Sequence, residues 1–207
     1  MISELIQNYP VLKSCEKEIL SLVKLMTDTF RNGGTFFCCG NGGSAADCSH
    51  ICTELLKGFV SKRPLNDKLK SEFTAAFGSE GREIADQLQS GLRAVDLAGS
   101  SAFITAVSND IDADLVFAQN LLALAKKDDI LLAISTSGNS ANIKKALMAA
   151  KIAGVKSFLL TGSGHGICEK YADTVIAVPA EETYRIQELH LPVYHAVCRE
   201  VEHNIFS

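Results

Sequence analysis

The sequence predicts an α/β protein built on a doubly wound parallel sheet, and three observations carry that expectation. Short apolar runs alternate with helix-like segments along most of the chain, the pattern of strands covered by helices on both faces. Two of the runs end in glycine- or serine-rich loops that open a helical pattern, where such sheets bind their ligands. With 207 residues, 47% of them hydrophobic, the chain can bury one full core.

Taken in order, Ile19, Leu22, Val23, Met26 and Phe30 recur at helical spacing and Asn32-Gly33-Gly34 follows. An amphipathic helix with a glycine stop therefore closes an N-terminal arm over about residues 1–32, fit to pack on the core or on another subunit. Strands are expected at residues 35–39, 102–107, 130–134, 157–161 and 174–178. Helices are expected at about 44–57, 114–125 and 140–153, with a short one near 167–171 and a long last one after residue 184. Between residues 66 and 99 the pattern is least transparent. Lys68, Glu72, Arg82, Glu83 and Asp86 interleave with Leu69, Phe73, Phe77, Ile84 and Leu88 there, and two short amphipathic helices fit.

Charge and composition exclude several classes. Lys plus Arg number 20 against 24 Asp plus Glu, a net charge of −4, with no basic cluster, so non-specific binding to nucleic acid or an acidic membrane is disfavoured. No run approaches the roughly 20 apolar residues of a membrane span, and residues 1–30 lack the pattern of a signal peptide. Seven cysteines without repeated CxxC spacing read as reduced thiols in a cytoplasmic protein. One domain over residues 1–207 accounts for the whole chain.

Phe36-Phe37-Cys38-Cys39 runs into Gly40-Asn41-Gly42-Gly43-Ser44, and a helical pattern starts at Ala45. Glycines let backbone come close to a ligand, and the first amides of a helix point outward unpaired, so the loop reads as an anion cradle; a plain turn with Ser44 as helix cap reads the same way. It lacks the Walker lysine and the complete GxGxxG spacing, so no nucleotide is implied. A second loop, Ser135-Thr136-Ser137-Gly138-Asn139-Ser140, follows another apolar run. Its hydroxyls and amides suit the several oxygens of a phosphate on a small molecule.

His50 and Glu54 are four apart on the first of these helices and share a face, where they could hold a metal, share a substrate proton, or form a solvated pair. Cys48 and Cys52 read as core thiols. In the last segment Gln187 and His195 are eight apart, about 12 Å of rise on a straight helix, which is awkward for one small site. Pro192 lies between them, so the helix is expected to start near Leu191 or to kink, and either would let the two converge. His165 and His203 read as exposed or structural.

Taken together these stretches resemble the sugar-isomerase (SIS) domain family, and within it the phosphoheptose isomerases. The matching residues are 39–47 with His50 and Glu54, Ser108-Asn109-Asp110, 133–140, 160–162, and 185–188 with His195. The resemblance implies a flavodoxin-like five-stranded sheet and a homotetramer with active sites between subunits. It implies a sugar phosphate on Asn41, Gly42, Gly43, Ser44, Asn109, Asp110, Ser135, Thr136, Ser137 and Ser140, touching Glu54 and Gln187 as well. It implies zinc on His50, Glu54, Gln187 and His195, with Glu54 and His195 as the acid/base pair. The implied reaction is aldose–ketose isomerisation of sedoheptulose 7-phosphate to D-glycero-D-manno-heptose 7-phosphate, in which a carboxylate moves a proton between adjacent carbons, a second group serves the oxygens, and a metal polarises the carbonyl.

Two departures stand out. Where the family has a Gly-Arg pair after the helix glutamate, this chain has Leu55-Leu56-Lys57-Gly58, and it carries an apparent helical insert at about residues 67–95. Rival readings are a non-catalytic SIS protein that binds a protein partner or senses a sugar phosphate, and an isomerase of another phosphosugar. The histidine at 195, together with His50 and Glu54, favours the enzyme.

Overall fold

The computed structural model describes residues 1–164 and 166–207; His165 lies outside them. Its centre is a parallel sheet of β1 (Phe36–Gly40), β2 (Ala94–Asp96), β3 (Ile130–Ile134), β4 (Lys156–Gly162) and β5 (Thr174–Val178), in the order β2-β1-β3-β4-β5. β1 pairs with β3 from Phe36↔Ile130 to Gly40↔Ile134. The chain order reverses between these two strands, so their carboxyl ends flank the crevice where an open sheet receives ligands.

The strands are apolar throughout because both faces are covered. Phe36 and Cys38 face one core with Ile130 and Leu132, while Phe37 and Cys39 face the other with Leu131 and Ala133, the alternation a pleated strand imposes. The first core is closed by α2 (Glu16–Arg31), α3 (Gly43–Leu56) and α8 (Thr183–Phe206), with α1 (Ile2–Asn8) and a 3-10 turn (Pro10–Cys15) packed beneath. On the opposite face lie α5 (Ser101–Val107), α6 (Val116–Leu124) and α7 (Ala141–Ala153). All seven cysteines are free and buried, Cys48 and Cys52 among them, and burial raises both thiols.

The region expected to hold two short helices is α4 (Asp67–Gln87), which breaks at Gly78 with φ 61° and ψ −136°, a conformation open only to glycine. Its halves fold back on each other, joined by Lys70 Nζ to Asp86 at 2.9 Å. Where the excursion leaves and rejoins the body, Pro64 and Gln89 form an antiparallel bridge and Ser90 N donates to Arg63 O at 2.6 Å.

Two expectations are corrected. Residues 102–107 are helical rather than a strand: the Ser100 side chain caps α5 by accepting from Phe103 N at 3.3 Å, and a six-residue apolar run carries no period that separates helix from strand. The missing strand is the short edge strand β2, which begins at the end of the stretch read as helical insert. Pro192 neither starts nor interrupts α8; its absent donor frees the carbonyl of Glu188, whose residue lies on the exposed side of the helix.

Behind the end of α3, Glu202 and Arg63 make a buried ion pair, Nε to Oε1 2.7 Å, and Glu202 also accepts from Phe59, Val60 and Ser61 N. Arg63 returns to the last turn of α3 through Leu55 O at 2.8 Å and Glu54 O at 3.1 Å.

Candidate active site

Sequence-expected residues gather in two places. The first is a polar cradle at the carboxyl ends of β1 and β3. Gly42, with φ 55° and ψ −121°, caps α3, and Ser44 stands buried in the first turn instead of capping it. From the other loop, Ser135 and Ser140 bring their hydroxyls within 3.1 Å of each other, and Thr136 and Ser137 complete the turn. Asn41 and Asn142 exchange paired amide hydrogen bonds, both 2.9 Å, and so hold the two loops side by side. Asn142 is absent from the sequence reading, because nothing local marks a contact between residues so far apart in the chain. With glycine amides, hydroxyls and no Lys or Arg in either loop, the cradle offers neutral donors to an anion.

Asn109 and Asp110 lie in a π-helical turn (Ser108–Asp112) after α5, exposed and bonded to each other at 2.8 Å. Lys145 on α7 pairs with Asp112 at 3.1 Å and Asp114 at 3.3 Å, docking the turn on the helix that Asn142 opens.

The second place is the seam where α3 and α8 run alongside each other. Gly43 abuts Gln187 at its start, Tyr194 reaches Asp47 and His50 in the middle, and Glu202 receives the chain beyond α3 at its end. Glu54 is bracketed by His50 Nε2 at 3.3 Å and Lys57 Nζ at 2.9 Å, so the lysine in the stretch that departs from the family pattern is directed at the candidate base. The His195 ring stands edge-on to His50 with centroids 5.0 Å apart. Its Nε2 is buried without a hydrogen-bond partner. Burial, with the positive fields of His50 and Arg199 working against Glu54, holds His195 below the ordinary histidine pKa, which keeps a lone pair available.

His50, Glu54 and His195 thus adjoin, but Gln187 does not join them. On an unbroken α8 it stands about 12 Å of rise from His195, and Glu54 is likewise about 15 Å along α3 from Ser44. Among the described residues no three His, Cys, Asp or Glu side chains are arranged to hold a metal ion. The donor chemistry nonetheless suits a divalent cation: a carboxylate and two imidazoles, one of which, His195, has a buried nitrogen without a partner.

Residues 94–197 match the SIS domain family, and residues 6–91 match a second SIS domain model. Fold and cradle therefore define a SIS-domain protein. It is 34% identical over 200 residues to a phosphoheptose isomerase of Akkermansia muciniphila, spanning 97% of this chain and 92% of that one. To a phosphoheptose isomerase of Thiobacillus denitrificans it is 38% identical over 182 residues, spanning 86% and 79%. Solved phosphoheptose isomerases from Neisseria gonorrhoeae (TM-score 0.74, 30% identity) and Francisella tularensis (TM-score 0.78, 29% identity) each cover 97% of this chain, which covers 94% of each. The chain belongs to the phosphoheptose isomerase family of SIS-domain enzymes, and it is an isomerase acting on a phosphosugar.

Proposed function

We propose that the enzyme converts sedoheptulose 7-phosphate to D-glycero-D-manno-heptose 7-phosphate through an enediol. The observation that carries this reading is the seam: a carboxylate, Glu54, between two cationic or protonatable neighbours and across from His195 with its free nitrogen. Glu54 removes the proton from the hydroxyl-bearing carbon next to the carbonyl and returns it to the other carbon. His195 carries the matching proton between the two oxygens, a task for a ring kept neutral near pH 7. The phosphate rests on Asn41, Gly42, Gly43, Ser44 and the hydroxyls of Ser135, Thr136, Ser137 and Ser140, a remote handle that fixes the reacting carbons. Asn109 and Asp110 border the sugar. Zinc held by His50, Glu54 and His195, with Gln187 brought to it from another protomer, would polarise the carbonyl and stabilise the developing oxyanion.

Because Ser44 and Glu54 lie about 15 Å apart along one α3, and Gln187 and His195 about 12 Å apart along one α8, a site that uses all four draws on more than one protomer, which supports the homotetramer with inter-subunit sites. The free buried thiols support a cytoplasmic setting, and no helix of the described residues is long and apolar enough to cross a membrane. The test is an assay of purified enzyme on sedoheptulose 7-phosphate with chelator and zinc add-back. Chelator-sensitive formation of the aldose phosphate is expected; turnover of a pentose or hexose phosphate in its place would overturn the substrate, and full activity in chelator would overturn the metal.

A further inference from the structure

We propose that Tyr194, anchored by Asp47, is a positioning residue that fixes His50 as its Nδ1–H tautomer and so leaves the Nε2 lone pair directed at Glu54. The role of His50 as a ligand rests on the function proposed above; the tautomer does not.

The Tyr194 hydroxyl lies 3.2 Å from Asp47 Oδ1 and 3.1 Å from His50 Nδ1. A phenol has one proton to give; burial raises the Asp47 carboxyl above its ordinary value, and in its ionised form, the one present in the alkaline range, it has none. Tyr194 therefore donates to Asp47 and can only accept from His50, which places the imidazole proton on Nδ1. In the neutral ring Nε2 is then bare, and Nε2 is the atom 3.3 Å from Glu54 Oε1. Two acceptors facing each other at that distance form a gap that a cation or a shared proton fills.

The ring is held on its Nδ1 side, while the His50 side chain as a whole is 40% exposed. Asp47 and His50 are three apart on α3 and share a face, while Tyr194 comes from α8, so the relay spans two packed helices. Tyr194 also meets the His50 ring edge-on, centroids 5.5 Å apart at 75°, and His195 meets it from another side at 83°. Tyr194 is itself 3% exposed, so water does not compete for its hydroxyl. A hydrogen bond that sets the tautomer of a metal-binding histidine is worth about 10–100-fold in metal affinity.

The decisive measurement is made on the metal-free full chain with nitrogen-15 histidine labelling, in the alkaline range where the nitrogen shifts stop changing with pH, with His50→Asn supplying the assignment. Expected are nitrogen shifts of a protonated Nδ1 and a bare Nε2 for His50. A protonated Nε2 would show that the relay runs in the opposite sense and overturn the proposal, whether or not any variant folds. Tyr194→Phe keeps the ring and removes the hydroxyl: the tautomer is expected to shift toward Nε2–H, and zinc affinity, read by competition with a chromophoric chelator, to fall about 10–100-fold. Unchanged tautomer and affinity in that variant would also overturn it. An enzyme that turns over no phosphosugar yet shows His50 with Nδ1 protonated would sink the functional reading and leave this one standing.

Discussion

Gly43 and Gln187 meet across the α3–α8 seam with no room for a methyl group: a Cβ on Gly43 would stand 2.5 Å from the Gln187 amide nitrogen. The glycine that lets backbone approach an anion also seats an expected zinc ligand, so one contact joins cradle and seam.

Gly43→Ala should therefore separate stability from activity. The clash is with the free end of a flexible side chain, so the melting midpoint is expected to move by less than about 3 °C. Displacing Gln187 should lower kcat/KM by on the order of a hundredfold. Unaltered kinetics would remove Gln187 from the site.

Glu54→Gln keeps the shape of the side chain and removes the base. We expect kcat to fall roughly 10²–10⁴-fold, with the mass measured by light scattering the same as for the parent. Turnover at the wild-type rate would refute the assignment.

His195→Ala should lose metal and rate together. Zinc measured by mass spectrometry after dialysis is the check, and full occupancy in the variant would rule out a ligand role.

Glu202→Gln tests the device that ends α3. The carboxylate sits where burial raises its pKa but the amides of Phe59 and Val60, with Arg63 and Ser61, outweigh that and lower it. A neutral amide leaves Arg63 buried without its counter-charge and turns a donor toward part of the amide set. A loss of about 3–5 kcal/mol is expected, about 10 °C in melting midpoint, read by denaturant and thermal unfolding.

His190 sets an acid limit. It is fully buried on α8 with Nδ1 unpartnered, and burial, opposed only by the Thr161 carbonyl, lowers its pKa from 6.5 to about 4. The unfolded chain takes up a proton below pH 6.5 that the folded chain refuses until about 4. Its contribution is thus intact above 6.5 and is lost as pH falls toward 4, by up to roughly 3 kcal/mol. Unfolding free energies of His190→Asn against the parent between these limits should show a shallower acid slope; equal slopes would falsify this.

Much of this architecture was legible in the residues because its signals are local. Phe36-Phe37-Cys38-Cys39 and Ile130–Ile134 read as buried strands, and the polar loops after them marked the cradle before any pairing was known. The edge strand Ala94–Asp96 was not legible, being three residues long and only half-buried, while the longer apolar run after it looked more like a strand than it is. Pro192 misled for a related reason: a proline removes one donor, and twenty-four residues of packed helix outweigh it. Gln187 and His50 lie on elements far apart in sequence, so their distances depend on how α3 and α8 seat, as does the Asn41–Asn142 pair. Spacing alone left the ligand set open; the set expected came only from the resemblance to the family.

The stitching of Pro64 to Gln89 and of Ser90 to Arg63 makes α4 a detour that returns the chain to where it left. A detour of that kind can lengthen, shorten or exchange its contents while every strand keeps its register, since doubling a loop costs only about 0.6 kcal/mol in closure entropy. The body of the enzyme carries its hairpin as a socket carries a plug, and variation in that stretch can proceed on a clock of its own.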